Sequence, residues 1–381
     1  MVQTSDQPAD TKTEAAKAPP SEAPAPQLPP PDLSWMDRTL QWGTRARPTA
    51  AGLGIDDLNI GVYGRIPDHV ETRTRIPRGA YPAVGVPEIG GYHLRDSYQL
   101  WAENAGELYE EAIQRRWSTA TDLDWESARG LPEDVEIAVA QVATELCHQA
   151  NTEIEVVCGW LKELNPVYHE VKLFLATETF DAARMFEGYR KRAMLNGAGM
   201  LMESPGWVNR VLLESIAGWT ETSILLHIMR GSFTHTILRY LAAYAPTQVD
   251  RDLASMVMAD KTRHIQYSMK HLQYSFSIRP EFARSYGTAL GGAEVSVLRD
   301  EKDPVLWEAL AVVFGGGVRN IDAGMEIVYR MRRDWVRSYV ERLEWAGIPH
   351  RREVVSGLRS FIEPAAGAMP AASATASAAG D

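Results

Sequence analysis

The segments FLATETFDAARMFE (residues 174–187) and VMADKTRH (residues 257–264) decide the fold. Each contains the pattern Asp-x-x-Arg, as Asp181 with Arg184 and as Asp260 with Arg263. Residues three apart lie on the same face of a helix, so one helix with this spacing can offer two side chains to one site. The second segment ends in His264 and is the more informative. Together they predict two helices that frame a common site.

Helix signals continue on both sides of these segments. Pro132 with the acids after it marks a first turn, Asn165-Pro166 and Asn196-Gly197 mark helix ends, and Thr247 marks a cap. No stretch alternates apolar and polar residues between turn signals, as a strand would. The sequence therefore predicts an all-α bundle. The predicted helices are one ending near Trp117, then residues 132–164, 169–195, 208–244 and 249–276, and one or two more from Asp303 to Ala346.

Composition predicts the domain organisation. Residues 1–33 and the tail from about residue 364 are rich in Pro, Ala or Ser, and both are predicted to be disordered. Residues 34–94 carry many Pro and Gly and predict an extended arm that wraps over the helical domain of residues 95–347. Residues 348–381 form a C-terminal extension.

Bulk properties exclude several classes of protein. A net charge of −11 argues against a nucleic-acid binder, which usually has a basic face. No signal peptide and no long apolar run are evident, so no membrane association is expected. Cys147 and Cys158 fall on one predicted helix, too far apart to bridge, and are interpreted as core thiols. These features predict a cytoplasmic protein.

Three segments together resemble the ferritin-like di-iron carboxylate oxygenases. Two are the segments above, and the third is residues 108–125, which begins LYEEAIQRRW. The resemblance covers about residues 95–275 and implies a ferritin-like bundle with additional C-terminal helices. In that family, paired helices each supply a Glu and a His to one iron, and two further helices each supply a lone Glu.

The family's ligand positions are largely altered here. The two Glu positions of the pairs read Ala182 and Lys261, and the first His position reads Met185. Counting back from each pair by the family's spacing gives Thr152, beside Glu153, and His227. A two-iron site is therefore not expected.

Several interpretations of the altered site stay open. The centre either binds one non-haem iron through His227, His264 and a carboxylate, with Glu153 or Glu178 as that ligand, or binds no metal and is filled. In the filled site, Lys261 pairs with Glu153 or Glu178. An alternative register uses three other residues with His264, because a second Glu-x-x-His occurs earlier in the chain: Glu111, Glu145 and His148.

The resemblance implies a component of an O2-dependent monooxygenase or hydroxylase system that acts on a small organic substrate. An altered ligand set is similar to that of the non-catalytic β subunits of bacterial multicomponent monooxygenases, which pair with an iron-bearing catalytic subunit. The expected partners are such a ferritin-like subunit or a second copy of the chain, together with reductase or effector components. The alternative is a catalytic oxygenase with an altered iron site. A storage ferritin is disfavoured, because storage bundles are shorter.

Overall fold

The computed structural model describes residues 29–37, 42–71, 75–214, 218–348 and Leu358. The chain divides into two compact units, residues 1–44 and residues 45–381. The described part of the first unit includes a short 3-10 helix, Ser34–Asp37. Most of the two segments predicted to be disordered falls outside the described residues. The predicted domain limits stay predictions.

Residues 45–94 form an irregular segment that lies against the helices of its own unit. The buried guanidinium of Arg78 forms an ion pair with Glu170 and donates to the carbonyl of Val167 at 3.0 Å. Asn59 also donates to the Glu170 carboxylate, at 3.0 Å. At its end, the Leu94 amide donates to the carbonyl of Glu163 at 3.1 Å. These contacts anchor the segment around the start of a long helix.

The described residues are otherwise mainly helical. Apart from isolated bridges such as that of Thr49 with Gly52, they contain no β-structure, which confirms the predicted all-α class. The α-helices are α1 (Ala105–Gln114), α2 (Glu133–Leu161), α3 (His169–Leu195), α4 (Trp207–Glu214), α5 (Trp219–Ser223), α6 (Gly231–Tyr244), α7 (Gln248–Ile278), α8 (Pro280–Asp300), α9 (Val305–Gly315) and α10 (Ile321–Ala346). Among the described helices, none has the length and apolar composition needed to cross a membrane.

Several predicted helix ends are confirmed, because local chemistry sets them. Helix α3 has the predicted bounds. The Thr247 side chain accepts from the Asp250 amide at 3.2 Å and so caps α7, satisfying a backbone donor that the first turn leaves free. Helix α10 ends at Gly347, whose φ of 100° is left-handed and favours glycine.

Two predictions about the helices were wrong. The predicted continuous helix of residues 208–244 is interrupted: α4 ends at Glu214, and α5 runs into the π-helical segment Ile224–Arg230 before α6 begins. Helix α8 was missed, because its glycines weaken the helical pattern of the sequence.

Four long helices build the bundle that positions the site. These are α2, α3, the continuous helix formed by α5, the π-helical segment and α6, and α7. Helices α3 and α7 approach closely, since a Cβ on Gly188 would lie only 2.7 Å from Leu253 Cδ1. Helix α8 follows, and α9 and α10 are the predicted additional C-terminal helices. Helix α10 packs on α9 at Gly324, where a Cβ would lie 1.9 Å from the Ala311 carbonyl oxygen.

Candidate functional site

All four residues first predicted to bind a metal lie together in the middle of the bundle. Glu153 comes from α2, Glu178 from α3, His227 from the π-helical segment, and His264 from α7. Lys261, one turn before His264, joins them, and all five side chains are buried. We call these five residues the central cluster. Four helices thus direct side chains to one centre, which is the ferritin-like arrangement that the sequence predicted.

The central cluster is held by ion pairs and hydrogen bonds. The Lys261 ammonium contacts Glu153 Oε2 directly. His264 Nδ1 lies 3.0 Å from the other carboxylate oxygen of Glu153. His227 Nε2 lies 2.7 Å from Glu178 Oε1, and its Nδ1 lies 3.1 Å from the Ser223 hydroxyl. Of the two carboxylates that the sequence left open as partners of Lys261, Glu153 is the one it contacts.

The two Asp-x-x-Arg segments form a closed ring beside the central cluster. Arg263 on α7 donates to Asp260 of its own helix at 2.5 Å and to Asp181 of α3 at 2.8 Å. Arg184 on α3 pairs with Asp181 and donates to Asp260 at 3.0 Å. Each arginine therefore joins the aspartate of its own helix to that of the other. We call these four residues the Asp–Arg ring.

The Asp–Arg ring meets the central cluster at one point. His264 Nε2 lies 3.2 Å from Asp181 Oδ2. Asp260 also accepts from the Trp117 indole at 3.0 Å. Trp117 and the two arginines therefore already occupy the Asp260 carboxylate. The ring thus supports His264 and fixes the crossing of α3 and α7.

Burial and the neighbouring charges shift the pKa values of Glu153 and His264 in opposite directions. Burial alone would raise the pKa of Glu153, but the Lys261 ammonium and His264 outweigh it and lower that pKa. Burial alone would lower the pKa of His264, but the carboxylates of Glu178, Asp181 and Glu153 raise it to about 9. At neutral pH, His264 is therefore a cation among carboxylates.

The donor set does not fit two metal ions. Ala182 and Met185 are buried where the family has ligands, and neither offers a carboxylate or an imidazole. Lys261 places an ammonium at a third ligand position. The gap lined by Glu153, His227, Lys261 and His264 measures about 10 Å³, roughly the space of one water. Ion pairs thus fill most of this centre.

Three donor atoms of the central cluster do lie close enough together to bind one metal ion. One oxygen of Glu153, one oxygen of Glu178 and one nitrogen of His264 lie within 4.8 Å of one another. Glu178 Oε2 is buried and has no hydrogen-bond partner, and Glu153 Oε1 is buried with His264 Nδ1 3.0 Å away. These atoms are the ones that would bind a cation if Lys261 released Glu153.

The fold does not bring the residues of the alternative register, Glu111, Glu145 and His148, together with His264. Glu111 pairs with Arg115 on the surface of α1. Glu145 accepts from Gln149 at 2.8 Å and lines a separate cavity, and His148 is only half-buried. Within the described residues, the carboxylates and imidazole close enough to share an ion come only from the central cluster.

Sequence reasoning missed two features of the site. One is the π-helical segment Ile224–Arg230, which carries both His227 and Arg230 toward the bundle centre. Such segments occur frequently at functional sites, but no short sequence pattern announces them. The other is Arg230 itself, which lines the gap beside Glu153 and Lys261.

Outside the site, Cys158 was misinterpreted as core, since it is exposed while Cys147 is buried.

Comparison with known proteins gives structural likenesses alone. No protein-family model matches the chain, and no curated protein matches it. A mutant of the R2-like ligand-binding oxidase with an anaerobically reconstituted Mn/Fe cofactor is similar at a TM-score of 0.44 and 14% identity, over 64% of this chain and 94% of that one. A second mutant, with an aerobically reconstituted Mn/Fe cofactor, gives 0.43 and 14% over 65% and 95%. The oxidase with an aerobically reconstituted Mn/Fe cofactor after a long soak gives 0.40 and 12% over 64% and 93%.

Proposed function

We propose that this chain is a metal-free, ferritin-like subunit of an O2-dependent monooxygenase or hydroxylase system acting on a small organic substrate. One observation carries the proposal: the Lys261 ammonium contacts Glu153 in the middle of the bundle, where the family places metal ligands. An ammonium and a divalent cation repel each other strongly in a buried site. The ion pair therefore stands where a metal–carboxylate bond would be.

The charges around the centre support the same function. The carboxylates of Glu153, Glu178, Asp181 and Asp260 face an equal number of cations on Lys261, protonated His264, Arg184 and Arg263. Buried charges are tolerated when they are paired in this way. A metal ion would add positive charge to a set that already has as many cations as carboxylates, and the Arg230 guanidinium lines the same gap.

A filled centre implies a partner. Without a metal, the residues that the structure describes offer no group that activates O2, so a place in an oxygenase system requires a second subunit that carries one. The partner we propose is a homologous ferritin-like catalytic subunit with a complete iron ligand set. In the complex, this chain would act as a rigid scaffold, since the Asp–Arg ring and the central cluster lock its bundle.

Elemental analysis of the purified chain tests the metal-free centre. We expect iron and manganese far below one ion per chain after purification with either metal supplied. The variant Lys261→Glu should gain metal, because it removes the ammonium and adds a carboxylate beside Glu153. His235→Ala, a half-buried histidine of α6 outside the central cluster, is the matched control for His264→Ala. Stoichiometric metal in the natural chain, lost in His264→Ala but not in His235→Ala, would refute the proposal.

Co-purification tests the partner. The chain, tagged and expressed in its own host, should elute as a stable complex with a second ferritin-like chain, and iron should follow that second chain. Size-exclusion chromatography with mass spectrometry and metal analysis of each fraction measures this. A chain that elutes alone or only with copies of itself contradicts the partner role.

A second function is favoured by the close approach of Glu153, Glu178 and His264. In it, these residues and His227 hold one non-haem iron ion, which would supply O2 activation. Lys261 would have to turn away from Glu153 to admit the ion. Under this function the natural chain binds one iron and loses it in His264→Ala, whereas under the first it binds none.

A further inference from the structure

A second cavity lies between α4, the π-helical segment and helices α8–α10. It measures about 60 Å³. Its apolar wall is made by Phe233, Trp307 and Trp335 together with several aliphatic side chains. Arg230 is the residue that lines both this cavity and the gap beside the central cluster. We call it the aromatic cavity.

Two buried polar atoms in the wall of the aromatic cavity have no hydrogen-bond partner. Glu145 is 7% exposed, and while its Oε1 accepts from Gln149, its Oε2 has no partner. Arg230 donates through Nη2 to Asn209, but its buried Nη1 has no partner. The ion pairs of the described residues do not join Glu145 to Arg230. An acceptor and a donor therefore stand open on one cavity, a costly arrangement unless something else satisfies them.

The other acidic side chains of the aromatic cavity are already engaged. Asp300 accepts from the amides of Trp207 and Val208, at 2.9 and 3.0 Å. Glu301 is paired with Arg332, and Asp303 accepts from a backbone amide at the start of α9. The open hydrogen-bonding capacity of the wall is thus concentrated at Glu145 Oε2 and Arg230 Nη1.

We propose that the aromatic cavity binds a small neutral primary carboxamide, with its N–H donated to Glu145 and its carbonyl oxygen accepting from Arg230. The amide group presents an N–H donor and a carbonyl acceptor on the same carbon, and these complement the open acceptor of Glu145 and the open donor of Arg230. A carboxylate would face Glu145, Asp300 and Glu301, and an ammonium would face Arg230, so both charged analogues are disfavoured. The short alkyl body of the ligand would lie against the aromatic wall.

The volume limits the size of this ligand. A cavity of about 60 Å³ holds roughly four or five water-sized spheres. Propionamide, with a comparable number of heavy atoms, is a suitable probe. Its charged analogues propionate and propylammonium carry a negative and a positive charge on the same three-carbon skeleton. The three probes separate the hydrogen-bonding requirement from simple filling of an apolar cavity.

Ligand-observed NMR titration of the full chain with the three probes tests the proposal. Propionamide should bind in the millimolar range, as expected for so small a molecule, and about tenfold or more tighter than either charged analogue. Glu145→Leu and Arg230→Met should each weaken propionamide binding by about tenfold, because each removes one hydrogen bond. Glu155→Leu, on an exposed part of α2, and Arg239→Met, on the surface of α6, are the matched controls and should leave binding unchanged.

A variant that fills the aromatic cavity tests the proposal without changing Glu145 or Arg230. Val297→Phe enlarges a side chain of the cavity wall while Glu145 and Arg230 stay unchanged, and it should abolish propionamide binding. Hydrogen exchange adds the location: propionamide should slow amide exchange in residues 224–230 and 204–208 of the natural chain. Equal binding of all three probes, or unchanged binding in Glu145→Leu and Arg230→Met, overturns the proposal. Propionamide binding does not depend on whether the central cluster holds a metal. The outcome of this test is therefore independent of the outcome of the elemental analysis.

Discussion

The contact of Lys261 with Glu153 makes a prediction that can be measured as a free energy of unfolding. The variant Lys261→Met keeps most of the side-chain volume and removes the charge. It leaves the Glu153 carboxylate in a place where Lys261 is 5% and Glu153 6% exposed. Removing one partner of a buried ion pair costs about 3–5 kcal/mol. Because His264 Nδ1 remains 3.0 Å from Glu153, we expect the lower end, about 3 kcal/mol.

A double-mutant cycle isolates the pair. Glu153→Gln should also destabilise, since it leaves the Lys261 ammonium without its carboxylate. The double variant Lys261→Met with Glu153→Gln removes both charges. Its free energy of unfolding should lie within about 1–2 kcal/mol of that of the natural chain, because loss of a whole buried pair is often nearly neutral. With about 3 kcal/mol for each single variant and about 1–2 kcal/mol for the double variant, the expected coupling energy is about 4–5 kcal/mol, above the usual range for residues in contact.

Urea denaturation followed by circular dichroism provides the measurement. The matched control is the surface pair of Lys191 with Glu187, whose side chains are 38% and 50% exposed. Lys191→Met should cost about 0–1 kcal/mol, as exposed pairs do. A coupling energy for Lys261 and Glu153 no larger than that of the surface pair would refute the reasoning, because it would mean that the two charges do not interact inside the bundle.

The remaining predictions concern pH and packing. The raised pKa of His264, about 9, lies above the unfolded value near 6.5. Protonated His264 therefore stabilises the fold fully below about pH 6.5, and this stabilisation is lost as the pH rises to about 9. The urea midpoint of the natural chain should fall over that pH range, and that of His264→Gln should not. Gly324→Ala should lower the unfolding temperature, because its Cβ would lie 1.9 Å from the Ala311 carbonyl oxygen. Gly291→Ala, in open space on α8, should raise it by stabilising the helix by about 0.5–1 kcal/mol. Arg192→Met should cost about 3–5 kcal/mol by leaving two buried carboxylates unpaired, and an unchanged unfolding midpoint would contradict this.

The parts of the fold that sequence predicted are those fixed by local chemistry. The bounds of α3 and the Thr247 cap follow from residues within one turn of the helix end. Helix α8 escaped because Gly287, Gly291 and Gly292 lower its intrinsic helix propensity, while tertiary packing of its apolar face keeps it helical. The π-helical segment escaped because it depends on how its helix fits against its neighbours.

The central cluster was predictable as a set of residues but not as a set of contacts. The family resemblance named His264 and, through its ligand spacing, Glu153 and His227, and Glu178 follows as the residue four before Ala182 on the same helix face. The choice of Glu153 over Glu178 as partner of Lys261 depends on helix rotation, which spacing does not specify. Arg230 was invisible for the same reason: a single arginine in an apolar stretch gives no pattern until the helix around it is placed.

The Asp–Arg ring changes what the two Asp-x-x-Arg segments mean. Each arginine binds the aspartates of both helices, so every charge of the ring is paired within it. Paired charges of this kind specify how two helices cross, because a shift of one turn would break both pairs between the helices, Arg184 with Asp260 and Arg263 with Asp181, in a buried site. The segments therefore predict the pairing of α3 with α7, and through it the bundle. They do not predict metal binding, which depends on the neighbouring positions, and there the chain has Ala182, Met185 and Lys261. Fold and metal chemistry are thus specified by different residues of the same two helices, and a sequence can have the first without the second.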